Sequence, residues 1–115
     1  MSVQTIQVTV SLDANNNPVF NYVPEGDVVV TEAGTQIIYS LEDKTEKGLS
    51  FAGAAFLTPF DRVIDAVEIL NETTLALYDT DAIVGKTGFR LVLNIAGSTL
   101  QLCSPDPQII NKDVK

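Results

Sequence analysis

A chain of 115 residues with 45% hydrophobic and 19% charged side chains has the size and composition of one folded domain. Fifteen acidic against seven basic side chains give a net charge of −8, which excludes nucleic acid and anionic membranes as partners because their phosphates would repel the chain. The sequence contains no histidine, the usual base for serine and cysteine nucleophiles. With a single cysteine and no signal peptide or apolar span, it is expected to be a soluble cytoplasmic protein.

Apolar and polar residues alternate with a period of two at the start of the chain. Ile6, Val8, Val10 and Leu12 occupy every second position, which predicts a strand with one buried face. The polar cluster of residues 13–18 ends it. Further strands are predicted over residues 18–23, 28–31 and 35–41 and from residue 49, because turn residues separate these apolar stretches.

The second half of the chain contains one ambiguous segment, residues 61–70. Val63, Ala66, Val67 and Leu70 fit helical spacing, but the turn residues that follow and the apolar run 75–78 are typical of a hairpin. We therefore predict a strand, with a short helix as the alternative. Strands are also predicted over residues 89–95 and 99–103, and residues 104–115 are predicted to form an extended C-terminal tail because their two prolines disfavour a helix.

The spacing of these segments predicts an all-β protein with eight or nine short strands. Even turn spacing without a convincing helix is typical of an antiparallel β-sandwich. Residues 79–95 are similar to the penultimate strand of immunoglobulin-like domains, in which a glycine and an aromatic residue follow an acidic loop. We expect one immunoglobulin-like sandwich domain over residues 1–115, and this expectation implies no function.

Aspartates are the main candidates for chemistry. Asp61 with Asp65, or Asp79 with Asp81, could supply the carboxylate pair of a hydrolase, although acids near turns also end strands in any β-protein. Asp79 and Asp81 are also the best candidate for a Ca²⁺ site, because alternate aspartates in a loop present oxygen ligands. A calcium-dependent binder of carbohydrate or protein is thus one alternative, and ordinary turn residues are the other. Cys103 is expected to be a buried structural thiol.

Two strands carry apolar residues on both faces, which favours a non-enzymatic binding or self-assembly module. Residues 28–30 are all valine, and Val92 lies opposite Leu91 and Leu93, so we expect either a loop or another subunit of a homo-oligomer to cover these strands. The tail could contribute to this assembly by lying along a sheet edge. Its prolines, Pro105 and Pro107, limit its freedom, and Ile109 and Ile110 are apolar anchors. The alternative is that the tail packs on its own domain.

Three runs of sequence resemble the small bacterial DP-EP family: GAAFLTPFDRVID, DTDAIVGKTGFRLVL and SPDPQIINKD, at residues 53–65, 79–93 and 104–113. The resemblance covers nearly the whole chain. It implies a stand-alone protein of about this length in which the charged, proline-containing tail is a family feature. It implies no activity, substrate or cofactor, so it transfers no functional residue.

Overall fold

Ten strands and one 3-10 turn make up the computed structural model, which describes residues 2–79 and 83–113. The strands are β1 (Val3–Leu12), β2 (Pro18–Val23), β3 (Val28–Val30), β4 (Thr35–Asp43), β5 (Leu49–Phe56), β6 (Ala66–Asn71), β7 (Thr74–Asp79), β8 (Gly85–Ile95), β9 (Gln101–Cys103) and β10 (Gln108–Lys112). The 3-10 turn is Pro59–Asp61. The all-β prediction is confirmed, and the ambiguous segment 61–70 begins at the last residue of this turn and ends inside the strand β6.

The strands form two five-stranded sheets that pack as an open sandwich. Sheet A has the order β2-β1-β4-β7-β6, and sheet B has the order β3-β10-β8-β5, with β9 also paired to β8. The prediction of a purely antiparallel sandwich is wrong, because β1 pairs with β4 in parallel and β10 pairs with β3 in parallel. β1, β4 and β8 are also long strands of 9 to 11 residues.

The inward side chains of both sheets form one core. Alternate residues of β1, β4, β7 and β8 point into it, as a period of two requires. Tyr39 and Phe89 meet edge to face at its centre, with ring centroids 5.8 Å apart. Strands β5 and β6 form the open edges of their sheets on the same side of the sandwich, where the β6–β7 turn contacts β5 through a hydrogen bond from the Phe51 amide to the Glu72 carbonyl.

The segment predicted as an extended tail contains a strand inside sheet B. β10 lies between β3 and β8, and Ile110 is fully buried. β9 and β10 follow the same edge of β8, separated by a bend that Arg90 holds by donating hydrogen bonds to the carbonyls of Ser104 and Pro105. Within the described residues, no helix has the length and apolar character that crossing a bilayer would need.

The two strands predicted to be apolar on both faces bury only one face each. In β3, Val28 and Val30 point into the core and Val29 alone is exposed. In β8, the outward positions are held by Arg90, a half-buried Val92 and the exposed Asn94. The outward apolar side chains of these strands are therefore limited to Val29 and the half-buried Val92. The homo-oligomer itself stays a prediction.

Candidate functional site

Strand β6, at the open edge of sheet A, is the most exposed apolar strand among the described residues. β6 is the last strand of its sheet, and all six of its residues are exposed. Val67, Ile69 and Leu70 show 36%, 43% and 45% of their surface to solvent. Opposite them in β7, Leu75 and Leu77 are completely buried, so exposure begins at β6 itself. An exposed edge presents backbone N–H and C=O groups that can pair with an added strand.

A cleft separates β6 from the end of β5, the open edge of sheet B. It has a volume of about 230 Å³ and is lined by Phe56, Pro59, Ile64, Asp65, Ala66 and Val67. Phe56 in this lining is held in place because its ring stacks on the buried ring of Phe89, with ring centroids 5.1 Å apart. Beside it, Phe60 is 93% exposed, which leaves an aromatic side chain almost entirely in water. We call β6, this cleft and Phe60 the edge site.

The wall of the edge site is shaped by the 3-10 turn. Pro59 begins the turn, and the Asp61 carboxylate accepts hydrogen bonds from the Thr58 hydroxyl at 2.7 Å and the Val63 amide at 2.9 Å. Arg62 follows with a left-handed φ of 65°, which turns the buried Val63 into the core. Partial burial raises the pKa of Asp61, but the hydrogen bonds from Val63 and Thr58 outweigh it, so the pKa lies below the usual value. A carboxylate held ionised in this way shapes the turn and is a poor general acid.

Acidic side chains surround the apolar strand. Asp65, Glu68 and Glu72 are all exposed along or beside β6. Glu68 accepts a hydrogen bond from the Tyr78 hydroxyl at 2.7 Å, and this bond is the main reason that the pKa of Tyr78 is raised. The edge site therefore combines an open backbone, apolar contacts and negative charge.

A second cleft lies near the start of β5, at the opposite end of this strand. Its volume is about 340 Å³, and most of its lining is apolar, with Asn16, Thr45 and Lys47 as the polar members; the apolar ones are Leu12, Pro18, Leu49, Ile95 and Leu102. The Asp43 carboxylate organises the loop beside it by accepting hydrogen bonds from the amides of Thr45 and Leu49 and from the Thr45 hydroxyl. Burial raises the pKa of Asp43, and these bonds together bring it below the usual value.

Comparison with protein-family models gives a match that spans the edge site and the central strands of both sheets. Residues 4–113 match the DP-EP family. The chain belongs to the DP-EP family. Among curated proteins, none matches it. The match begins in β1 and ends just after β10, so the whole sandwich of this DP-EP protein, including β6 and its cleft, lies within the family's shared region.

The predicted Ca²⁺ ligands of the DP-EP chain are placed only in part. Asp79 is buried at the end of β7, and its Oδ1 contacts the ammonium of Lys112. Asp81 lies outside the described residues. Within the described part of the chain, no group of three or more acidic or cysteine side chains is arranged to hold a metal ion. The Ca²⁺ site stays a prediction, with a lysine already in contact with one of its two ligands.

The other predicted site residues have distinct locations. Pro105 and Pro107 form the bend between β9 and β10, and Ile109 and Ile110 lie in β10, paired with strand β8 of their own domain. Their role in assembly stays a prediction. The prediction that Cys103 is buried is wrong: its side chain is exposed, because Leu102 takes the inward position of the short strand β9.

Of the edge site, the sequence indicated only Asp61 and Asp65, as a candidate carboxylate pair, and neither β6 nor Phe60. The segment that became β6 gave an ambiguous period, because a strand exposed on both faces has no reason to alternate. The available signal was the run Ala66–Asn71, which carries four apolar residues and a single charge. An apolar run of this kind is unusual on an edge strand whose two faces are both exposed to solvent. Phe60 gave no signal at all, since an aromatic residue next to a proline turn is common in cores as well.

Proposed function

We propose that this protein is a non-enzymatic binding module that takes up an extended, basic and apolar peptide segment as an added strand along β6. The observation that carries the proposal is that all six residues of β6 are exposed, in an apolar edge strand with a cleft beside it. Strand addition gives affinity through backbone hydrogen bonds, and pockets for alternate side chains give specificity. The cleft and Phe60 supply these contacts next to the strand.

Charge decides between a foreign peptide and a second copy of the chain. Each copy has a net charge of −8, and the three acids around β6 would face their counterparts across a dimer of edge strands. Like charges facing each other across paired strands are destabilising. A peptide with lysine or arginine at alternate positions would instead bring opposite charges to Asp65, Glu68 and Glu72, and it would be drawn to the acidic surface before it docks.

The test uses a labelled synthetic peptide of alternating lysine and valine, with binding measured by fluorescence anisotropy at physiological ionic strength. A second peptide of the same sequence carries N-methyl groups on alternate backbone nitrogens. Its charge is unchanged, but it cannot form the strand hydrogen bonds. We expect the first peptide to bind and the second to bind at least about tenfold more weakly, because only the first can complete the ladder.

Substitutions locate the site. The pair Val67→Thr and Ile69→Thr trims the exposed apolar contacts of β6 while keeping branched side chains that suit a strand, and we expect about a tenfold loss of affinity. Val29→Thr is the matched control, since Val29 is an exposed valine on the edge strand of the other sheet. Equal binding of both peptides, or equal loss in both variants, would contradict the proposal. A dimer seen by light scattering that only the β6 substitutions dissociate would replace the peptide by a second copy.

A further inference from the structure

One ion pair joins the two sheets inside the core. Asp79 is the last residue of β7 in sheet A, Lys112 is the last residue of β10 in sheet B, and the Lys112 Nζ contacts the Asp79 Oδ1. Both side chains are 0% exposed. Asp79 is paired in register with the buried Thr35, and Lys112 with the buried Val30. This is the only salt bridge with buried partners among the described residues.

Burial changes the chemistry that such a pair can perform. Ionised carboxylate and ammonium groups lose their hydration in a protein core, and this loss favours transfer of a proton within the pair to give neutral forms. The neutral forms are an amine, which is a nucleophile, and a carboxylic acid, which is an acyl group that an amine can attack. Holding the two in contact replaces a collision in solution by an intramolecular step, with effective molarities of about 10⁵ M and above for well-oriented groups.

We propose that Lys112 and Asp79 condense into an amide that covalently links sheet A to sheet B. The ammonium first gives a proton to the carboxylate, and the Nζ lone pair then attacks the Asp79 Cγ. The Nζ–Cγ bond forms, one Cγ–O bond breaks, and the departing hydroxyl leaves as water with a second proton from Nζ. The step requires no oxidant, because neither carbon nor nitrogen changes its oxidation state.

The fold gives such a link a clear consequence. The two residues are 33 positions apart, and β10 is held in sheet B by β8 and by only three residues of β3. A covalent bond at Lys112 would tie the end of this strand to the opposite sheet, in a chain whose single cysteine cannot form an internal disulfide. A closed loop of this kind stabilises a fold by restricting the unfolded chain.

Mass spectrometry of the denatured protein tests the proposal directly. After overnight incubation of the folded wild-type protein, we expect an intact mass lower than the sequence mass by one water molecule. Trypsin cannot cut after an acylated lysine, so the digest should contain residues 63–86 joined to residues 91–115. The variant Lys112→Arg keeps the positive charge but not the amine. Its intact mass should equal the mass calculated from its own sequence, with no loss of water.

A second variant identifies the acyl group. In Asp79→Asn the same attack would release ammonia instead of water, so the product should have the same final mass as cross-linked wild type. These measurements need no assay of function, and the decisive one uses the unmodified chain, so a variant that fails to fold does not affect it. A wild-type protein with the full sequence mass and normal cleavage after Lys112 would overturn the proposal and leave a buried ion pair only.

Discussion

The contact between Gly48 and Ala96 allows a sharp test of the loops that close the sandwich. Gly48 has a left-handed φ of +71°, and its carbonyl accepts a hydrogen bond from the Ala96 amide at 3.0 Å. A Cβ added at residue 48 would lie 2.6 Å from the Ala96 Cβ, a separation that requires one of the two loops to move. Gly97 has the same φ of +71°, but no atom lies within 4 Å of its added Cβ. The pair separates backbone strain from steric contact.

Gly97→Ala should cost about 1 kcal/mol, because an alanine in the left-handed region is strained by about that amount. Gly48→Ala should cost the same strain and a further amount of about 1–3 kcal/mol from overpacking against Ala96. For a domain of this size, about 1 kcal/mol corresponds to a change in Tm of about 4 °C or more. Thermal and urea unfolding of the two variants measure the difference.

The control is the double variant Gly48→Ala with Ala96→Gly, which removes the atom that the new methyl group meets. The free energy of unfolding that the double variant loses relative to Ala96→Gly alone should equal the loss for Gly97→Ala, because only backbone strain remains. Equal losses for Gly48→Ala and Gly97→Ala, or a double variant no better than the first, would refute the steric argument.

Three further results are expected. The pKa of Asp43 is lowered in the folded state. Its contribution to stability is therefore complete above the unfolded pKa of about 4 and is lost as the pH falls through the folded pKa. The stability of Asp43→Asn, measured by urea unfolding, should depend less on pH below about 4 than the stability of wild type. Burial, together with the neighbouring Tyr22, raises the pKa of Tyr39 far above 10. An ultraviolet titration should therefore show the Tyr39 phenolate only when the fold is lost. A Tyr39 phenolate in the folded state would contradict this. Deleting the chain from Ser104 onward removes β10 from the middle of sheet B, so circular dichroism should show no cooperative unfolding; a folded truncated protein would show that β10 is dispensable.

The sequence predicted which face of each long strand is buried, and it could not predict which strands are neighbours. The alternation of Ile6, Val8 and Val10 places them in the core, as observed. The parallel pairing of β1 with β4 depends on contacts between residues about 30 positions apart, such as Val8 with Leu41. A pattern with a period of two carries no information on the identity or direction of the partner strand, so the antiparallel prediction used only the commoner arrangement.

The candidate sites were harder to predict for two physical reasons. Lys112 lies in a charged stretch near the end of the sequence, where a lysine is normally in solvent, and only the position of β10 inside sheet B buries it. From the sequence, Asp79 was therefore predicted to be a turn residue or a cation ligand. In the structure it contacts a lysine 33 residues away. β6 was ambiguous because an edge strand exposed on both faces has no periodic constraint.

The order of the strands along the chain has a consequence for synthesis. All five strands of sheet A lie within the first 79 residues, whereas sheet B needs β8 and β10 from residues 85–112 to join β3 and β5. Because residues 85–112 leave the ribosome last, the strands of sheet A emerge first, and their inner face stays open to water until β8 and β10 follow. Until sheet B is complete, the chain exposes the apolar face of sheet A, and exposed apolar surface of this kind favours aggregation.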